Sequence, residues 1–330
     1  MPKNKVVVLT HTKDDYGVFS VMEAIREQGG IPIRFNCDEF PGTNQLSVSF
    51  IDGNWQKLIF DGKDWHNIQE VNAVWFRRAI NIGKIMAASI EDKYKSAAIQ
   101  EATRAFNNFF SSLDEKLLLN SPFMQKRFYS KEYQLQLASS LGLRIPETCI
   151  CNSPTQLKQL IDKYPSGILV KPHSSYFIDY EKIPKATLFA SILSQEEMAD
   201  LDGLEYSPMI FQEPIPKKVE LRIPVIGNQL WAYSINSQSN ENATEDWRKA
   251  GLEMINQWQP YEITEKLRTQ LLAFLKKMGC IYGSFDIIVT PEEEYVFLEI
   301  NTDGEFFWLD KFSNYEISNA FANTLLTILR

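Results

Sequence analysis

Gly283–Glu305 reads GSFDIIVTPEEEYVFLEINTDGE, and the fold of the chain is decided there. Ser284–Val289 and Tyr295–Ile300 are apolar and rich in Ile, Val, Phe and Tyr, which marks two strands. Thr290-Pro291-Glu292-Glu293-Glu294 breaks the pattern and marks the turn between them. A hairpin closed with Val289 facing Val296 sets Asp286 opposite Glu299. Directly opposed residues share a face, with Cβ atoms roughly 5 Å apart. Asn301, two residues on, returns to that face. Three oxygen-bearing side chains then meet on an otherwise apolar hairpin. Two carboxylates at that spacing repel unless protonated or bridged by a cation. Hard oxygens suit Mg²⁺, which one or two carboxylates typically hold together with substrate phosphates. The alternative is an amphipathic hairpin with two solvated acids.

Composition narrows the classes. With 330 residues there is room for two or three packed units. A formal net charge of −8 supplies no basic stripe for nucleic acid, and no apolar run approaches a membrane span. The N-terminal MPKNKVVVLTHTKDD is a strand and not a signal peptide. Cys37, Cys149, Cys151 and Cys280 form no zinc pattern, and a pair separated by one strand residue rarely forms a disulfide. All four read as reduced, in the cytoplasm.

Outward from the hairpin, Lys266–Met278 is an amphipathic helix with Leu267, Leu271, Phe274, Leu275 and Met278 on one stripe. Ile317–Ile328 closes the chain as a helix. Upstream, Met209–Glu213, Val219–Ile226 and Gln229–Ser237 are strands. Gly167–Lys171 is a strand delivering a lysine at its end. His173–Lys185 reads as a polar and aromatic loop, followed by a strand at Thr187–Ala190. Ser130–Leu141, the segment from Ser153-Pro154 through Lys163, and Ser194–Leu201 read as helices; Ser194 and Glu197 form a capping box in the last. At the N-terminus, strand Lys5–Thr10, helix Tyr16–Gln28 and strand Ile31–Phe35 form a β-α-β opening, the signature of a parallel sheet. It lacks the G-x-G-x-x-G turn of dinucleotide folds. Asp52-Gly53-Asn54 turns a hairpin between Leu46–Ile51 and Gln56–Phe60. Strand Val71–Phe76 ends in Arg77-Arg78, and Ile90–Leu113 is a long helix. Composition changes near Asn120-Ser121-Pro122, which sets units at 1–120, 121–208 and 209–330.

Several features fall into one order: Lys171 at a strand end, Phe211-Gln-Glu-Pro-Ile215, Glu220-Leu-Arg222, Asp246-Trp-Arg248, Asp286, and Glu299-Ile-Asn301. From Lys131 to the C-terminus this resembles the ATP-grasp fold. The class is α/β (α+β), and the N-terminal unit is similar to a pre-ATP-grasp domain. Trp75-Phe-Arg-Arg78, Ile235-Asn-Ser-Gln238 and Gly304-Glu-Phe-Phe-Trp-Leu309 extend the resemblance to the microviridin-type ATP-grasp peptide cyclases, the graspetide synthetases. One departure stands out. The family reads Asn-Pro-x-Gly-Glu where this chain has Asn301-Thr302-Asp303-Gly304-Glu305. Losing Pro leaves that turn less rigid before folding, and Asp303 adds an acid near the metal face.

The resemblance implies ATP and Mg²⁺ as cofactors and assigns roles. Asp286, Glu299 and Asn301 hold the metal. Lys131 and Lys171 contact phosphate; the alternative for each is an ordinary surface lysine. Gln212, Glu213, Pro214 and Ile215 form the hinge that receives adenine through free backbone groups, and Glu220 accepts a ribose hydroxyl. Arg222 and Arg248 face the transferring phosphoryl group and the acyl phosphate, since a guanidinium fork matches both. Arg77 and Arg78 sit where α/β sheets place ligands. Either they bind the acceptor carboxylate or they are two solvated arginines.

The implied reaction activates an Asp or Glu side chain of a precursor peptide as an acyl phosphate. A Thr or Ser hydroxyl then closes an ester; a Lys amine would close an amide. The leader segment docks as a helix in a groove. Candidate surfaces are the acidic patch Gln195–Asp202, with Glu196, Glu197 and Asp200, and the segment Trp247–Trp258, with Leu252, Ile255 and Trp258 on one stripe. Ordinary core packing is the plainer reading of that stripe. A homodimer is left open. Two rivals remain: a ligase adding free amino acids, and a non-catalytic binding protein of the same fold.

Overall fold

The computed structural model describes residues 4–14, 16–84, 88–119, 127–173, 177–180, 183–187 and 190–328. The boundary expected at Asn120-Ser121-Pro122 lies outside them.

The chain opens on a parallel sheet ordered Ile31–Asn36, Lys5–Thr10, Val71–Phe76, Leu118–Leu119. Its central strands are buried on both faces, which is why they read as unbroken Val, Leu and Ala runs. One face packs Val7, Leu9, Val74 and Phe76 against Phe106 and Phe110 of helix Asp92–Ser111. The other packs Val6, Val8, Ala73 and Trp75 against helices Tyr16–Glu27 and Glu316–Thr327; the Trp75 and Phe321 rings lie 4.6 Å apart. The last helix of the chain thus covers its first sheet. The Asp52-Gly53 hairpin forms with φ of 50° and 76° at the two turn residues, joining Gln45–Ile51 to Asn54–Phe60.

An antiparallel sheet follows, ordered Ser191–Leu193, Ile168–Lys171, Met209–Gln212, Thr148–Cys151, with helix Pro154–Lys163 packed on it. The segment His173–Lys185, expected as a loop, instead contains strand Phe177–Tyr180, which pairs with Ile183–Thr187. Pro184 inside the second strand weakens its strand signal. Part of the expected strand Thr187–Ala190 lies outside the described residues.

The third sheet runs Gln259–Pro260, Tyr233–Ile235, Val219–Ile226, Tyr282–Val289, Tyr295–Asn301. The strand expected over Gln229–Ser237 is broken at Trp231-Ala232 into Gln229–Leu230 and Tyr233–Ile235. Alternation gives the sheet two faces. Leu221, Ile223, Phe285, Ile287, Phe297 and Ile300 pack behind it on Leu267, Leu271, Phe274 and Leu275 of helix Glu265–Met278. Glu220, Arg222, Asp286, Glu299 and Asn301 lie in front.

The central hairpin closes differently from expectation. Val289 pairs with Tyr295, not Val296. Thr290 sets the turn: its N–H donates to the Glu294 carbonyl at 2.9 Å, and its hydroxyl accepts from Glu292 and Glu294. A bulge at Leu298 then shifts the register by one, so Asp286 does face Glu299. No helix among the described residues is long and apolar enough to cross a membrane.

Candidate active site

The front of the third sheet gathers charge. Arg222 lies opposite Asp286 on the neighbouring strand, and its Nη1 donates to both carboxylate oxygens at 2.8 Å. Glu299 is paired with Lys131 Nζ. Each carboxylate of the expected metal set therefore has its own cation. Asn301 is exposed on the same face, and its Oδ1 accepts from Asp303 N–H at 3.0 Å. Among the described residues no group of three His, Cys, Asp or Glu could hold an ion. Two carboxylates and an amide oxygen form a hard, partial set, one that Mg²⁺ completes with phosphate oxygens and water.

Lys131 opens helix Lys131–Ser140, whose N-cap Ser130 accepts from Tyr133 N–H. That helix is fixed to the hairpin by Gln134, which sequence reasoning missed. Gln134 is 1% exposed. Its Nε2 donates to the Ile300 carbonyl and its Oε1 accepts from Ile300 N–H, both at 3.0 Å. It thus grips the backbone between Glu299 and Asn301. The available signal was a polar residue beside Leu135 and Ala138 on the helix's inner face.

Lys171 ends its strand half-buried, with no hydrogen-bonding or ionic partner among the described residues. Loss of water, then the charges of Lys131 and Arg248, pull its amine from 10.5 down to about 7, against Asp286 and Asp246. Burial likewise lowers Lys131. Arg248 is held by Asp246, Nε to Oδ1 at 2.8 Å and Nη2 to Oδ2 at 2.7 Å, while the rest of its side chain is 56% exposed. Glu220 is half-buried beside Lys217 Nζ at 3.1 Å, and burial raises its carboxyl. Lys171 feels the charges of Lys131, Arg248, Asp286 and Asp246, and Lys131 those of Asp286 and Arg248, so these residues share one charged neighbourhood.

The expected hinge needs one correction. The Glu213 N–H is not free: it donates to the Glu147 carbonyl at 2.8 Å. Its carboxylate accepts from Arg144 and from Glu147 N–H, both at 3.1 Å. Pro214 has no N–H. Among the described residues, the Ile215 N–H and the carbonyls of Glu213, Pro214 and Ile215 have no hydrogen-bond partner, so the segment offers one donor and three acceptors. Gln212 is buried, its Nε2 bonded to Thr148 Oγ1 at 2.9 Å.

Arg77 is not a solvated arginine. It is 4% exposed, lies 5.2 Å from the Phe307 ring, and reaches Asp14 at 3.6 Å and Glu305 at 3.3 Å. Arg78 pairs with the same Glu305 oxygen from the rim. The Glu305 carbonyl accepts from Arg222 Nη2 at 3.3 Å, linking this cluster to the metal face. Asp303, expected near the metal face, accepts from Tyr129 Oη at 2.8 Å, and burial raises its carboxyl. Gly304 allows the close approach. A Cβ there would stand 2.6 Å from Arg222 Nη2 and 2.9 Å from the Asn301 carbonyl. Gly304→Ala is therefore expected to cost about 1–3 kcal/mol by overpacking and to push Arg222 off Asp286. Denaturant unfolding and turnover should both fall.

Glu197 is occupied by the capping box with Ser194, while Glu196 and Asp200 are exposed. In the Trp247–Trp258 segment, Met254 is 0% and Trp258 2% exposed, with Trp258 edge-on to Trp247 at 5.4 Å. Of the expected stripe, Trp258 is core and Ile255 is half-buried, and the side chain of Leu252 lies outside the described residues.

Residues 5–126 match the family model of the MvdD pre-ATP grasp domain. A Chryseobacterium gregarium RiPP-associated ATP-grasp ligase, solved with ADP and a leader and core peptide, is 37% identical. The match covers 98% of this chain and 97% of that one, with a TM-score of 0.94. The macrocyclase MdnC of Microcystis aeruginosa, bound to precursor peptide MdnA, is 34% identical over 98% of this chain and 99% of its own, with a TM-score of 0.85. The alpha-aminoadipate–LysW ligase LysX of Sulfurisphaera tokodaii is 23% identical over 64% of this chain and 72% of its own.

Proposed function

Because the chain belongs to the RiPP-associated ATP-grasp ligases, the graspetide synthetases, we propose that it uses ATP and Mg²⁺ to close side-chain ester rings in a precursor peptide. The observation that carries this is one sheet face bearing Asp286, Glu299 and Asn301, with Arg222 paired to Asp286, Lys131 paired to Glu299, and Lys171 within reach of the charges of Lys131, Arg248 and Asp286. The division into 1–120, 121–208 and 209–330 belongs to the same reading, with the last helix returning to the first unit. So do a cytoplasmic location and a homodimer, the latter checked by light scattering.

Asp286, Glu299 and Asn301 would hold Mg²⁺, which when bound neutralises charge on the phosphates. The Glu213 carbonyl and Ile215 N–H offer adenine an acceptor and a donor. Glu220 accepts a ribose hydroxyl. Lys131 and Lys171 position phosphate oxygens. A substrate carboxylate oxygen attacks the γ-phosphorus, the bond to ADP breaks, and an acyl phosphate forms. A Thr or Ser oxygen then attacks the acyl carbon, and inorganic phosphate leaves as the hydroxyl gives up its proton. Arg222 and Arg248 offer guanidinium forks to both charged states, so their work is positioning and electrostatics. The ester outcome rests on Gly304–Asp310, which resembles the ester-forming branch; docking of the leader as a helix at Glu196, Glu197 and Asp200 rests on the family likeness. Hydroxylamine added during turnover should trap a hydroxamate on the precursor, and mild alkali should reopen the rings. Rings stable to alkali would assign amide closure, and turnover with a free amino acid and no leader would replace the proposal.

Lys171 gives a second test. In the free enzyme its amine is largely neutral between about 7 and 10.5. Phosphate contact favours the charged form and raises that pKa. At pH 8, nucleotide binding is expected to take up as much as about one proton, measured by calorimetry in buffers of different ionisation heat. Lys171→Met should lose that uptake.

A further inference from the structure

Past the end of strand Val71–Phe76, two guanidiniums, Arg77 and Arg78, meet two carboxylates, Asp14 and Glu305, and only one of the carboxylates is reachable from solvent. Arg77 is already balanced from within by Asp14, whose side chain is 6% exposed and which also accepts from Thr10 Oγ1 at 2.7 Å. Glu305 approaches from outside. It is 34% exposed, and Arg78, 42% exposed, meets it at the rim. Two guanidiniums thus converge on one solvent-reachable carboxylate whose own backbone carbonyl accepts from Arg222, the partner of Asp286. Both guanidiniums meet one Glu305 oxygen, and a charge-assisted guanidinium–carboxylate contact is the chemistry that an Asp or Glu side chain of a peptide would also present. An ion pair exposed to this degree contributes only about 0–1 kcal/mol, so exchanging one carboxylate for another costs little. Arg77 stays fixed throughout: its N–H donates to the Leu9 carbonyl at 3.0 Å and its guanidinium lies over Phe307.

We infer that Arg77 and Arg78 form the receptor for an acidic side chain of the substrate peptide, and that Glu305 is a resident carboxylate filling it until the peptide arrives. Incoming Asp or Glu displaces Glu305 from Arg78 and is held beside the Arg222–Asp286 pair. Glu305 turns to solvent. The inference rests on the peptide-cyclase reading and adds to it a gate that selects for carboxylate.

The test uses the full chain and a synthetic Thr- and acid-rich precursor peptide, together with a twin in which the acidic core residues are Asn and Gln. Binding is measured by titration calorimetry without ATP. Glu305→Gln keeps the shape of the side chain and removes its charge. It should tighten the acidic precursor about 3- to 5-fold, the worth of an exposed ion pair, and leave the amide twin unchanged. Arg78→Ala should weaken the acidic precursor about tenfold or more, as expected for a lost charge-assisted bond; Arg78→Lys should fall between. Unchanged or weaker binding of the acidic precursor to Glu305→Gln, or an equal gain for the twin, would overturn the proposal. Failure of the wild type to cyclise any precursor would remove the underlying reading instead, and this proposal with it.

Discussion

Glu299→Ala is expected to stop ring formation, with kcat/KM down by at least on the order of 100-fold, since even outer-shell changes at metal sites cost about 10–100-fold. Glu299 faces Asp286 across the hairpin and is the partner of Lys131. Its removal deletes one of two carboxylates in a set that has no third among the described residues, and it leaves the Lys131 amine unpaired beside the phosphates. The side chain is 21% exposed and stands on the polar face, so the fold should survive. ADP release and peptide mass should fall together, while the thermal midpoint stays near that of the wild type. Equal ADP release by both proteins would show that the metal is held elsewhere.

Phe285→Ala carries the largest expected cost in stability, about 3–5 kcal/mol. Phe285 is 0% exposed, on the reverse face of the strand that presents Asp286. Its ring meets Phe274 edge-on at 5.4 Å and Phe297 at 6.2 Å. The hairpin's position over helix Glu265–Met278 depends on that packing, and the metal face is the other side of the same strand. The denaturant midpoint should drop sharply, and residual activity should require more Mg²⁺. A loss below about 1 kcal/mol would mean the site can collapse around the missing ring.

Much of this arrangement was legible in the sequence because isolated polar residues stand out in apolar strands. Val219–Arg222 alternates apolar and polar residues, and the two hairpin strands are apolar runs interrupted at Asp286, Glu299 and Asn301, which marks the side chains that share the polar face. The opposition of Asp286 and Glu299 was legible for an incomplete reason: the turn closes one residue away from the expected register, and a bulge at Leu298 restores it. Periodicity does not encode a bulge. Gln134 and the burial of Arg77 were invisible for another reason. Their partners, Ile300 and Glu305, lie 166 and 228 residues away in sequence, the second figure being 305 minus 77. Trp258 shows the limit of a helical stripe. The same spacing serves a docking face and a core, and here Trp258 is core. The last helix covering the first sheet, through Phe321 on Trp75, could not be read from local pattern at all.

The central claim is ATP-driven ring closure within one peptide. It is tested most directly by incubating the enzyme with ATP, Mg²⁺ and the Thr- and acid-rich precursor, then measuring intact peptide mass against ADP formed. The account predicts a ladder of products, each lighter by one water and each accompanied by one ADP. ADP formation with no change in peptide mass, or a gain in mass matching an added amino acid, would contradict it.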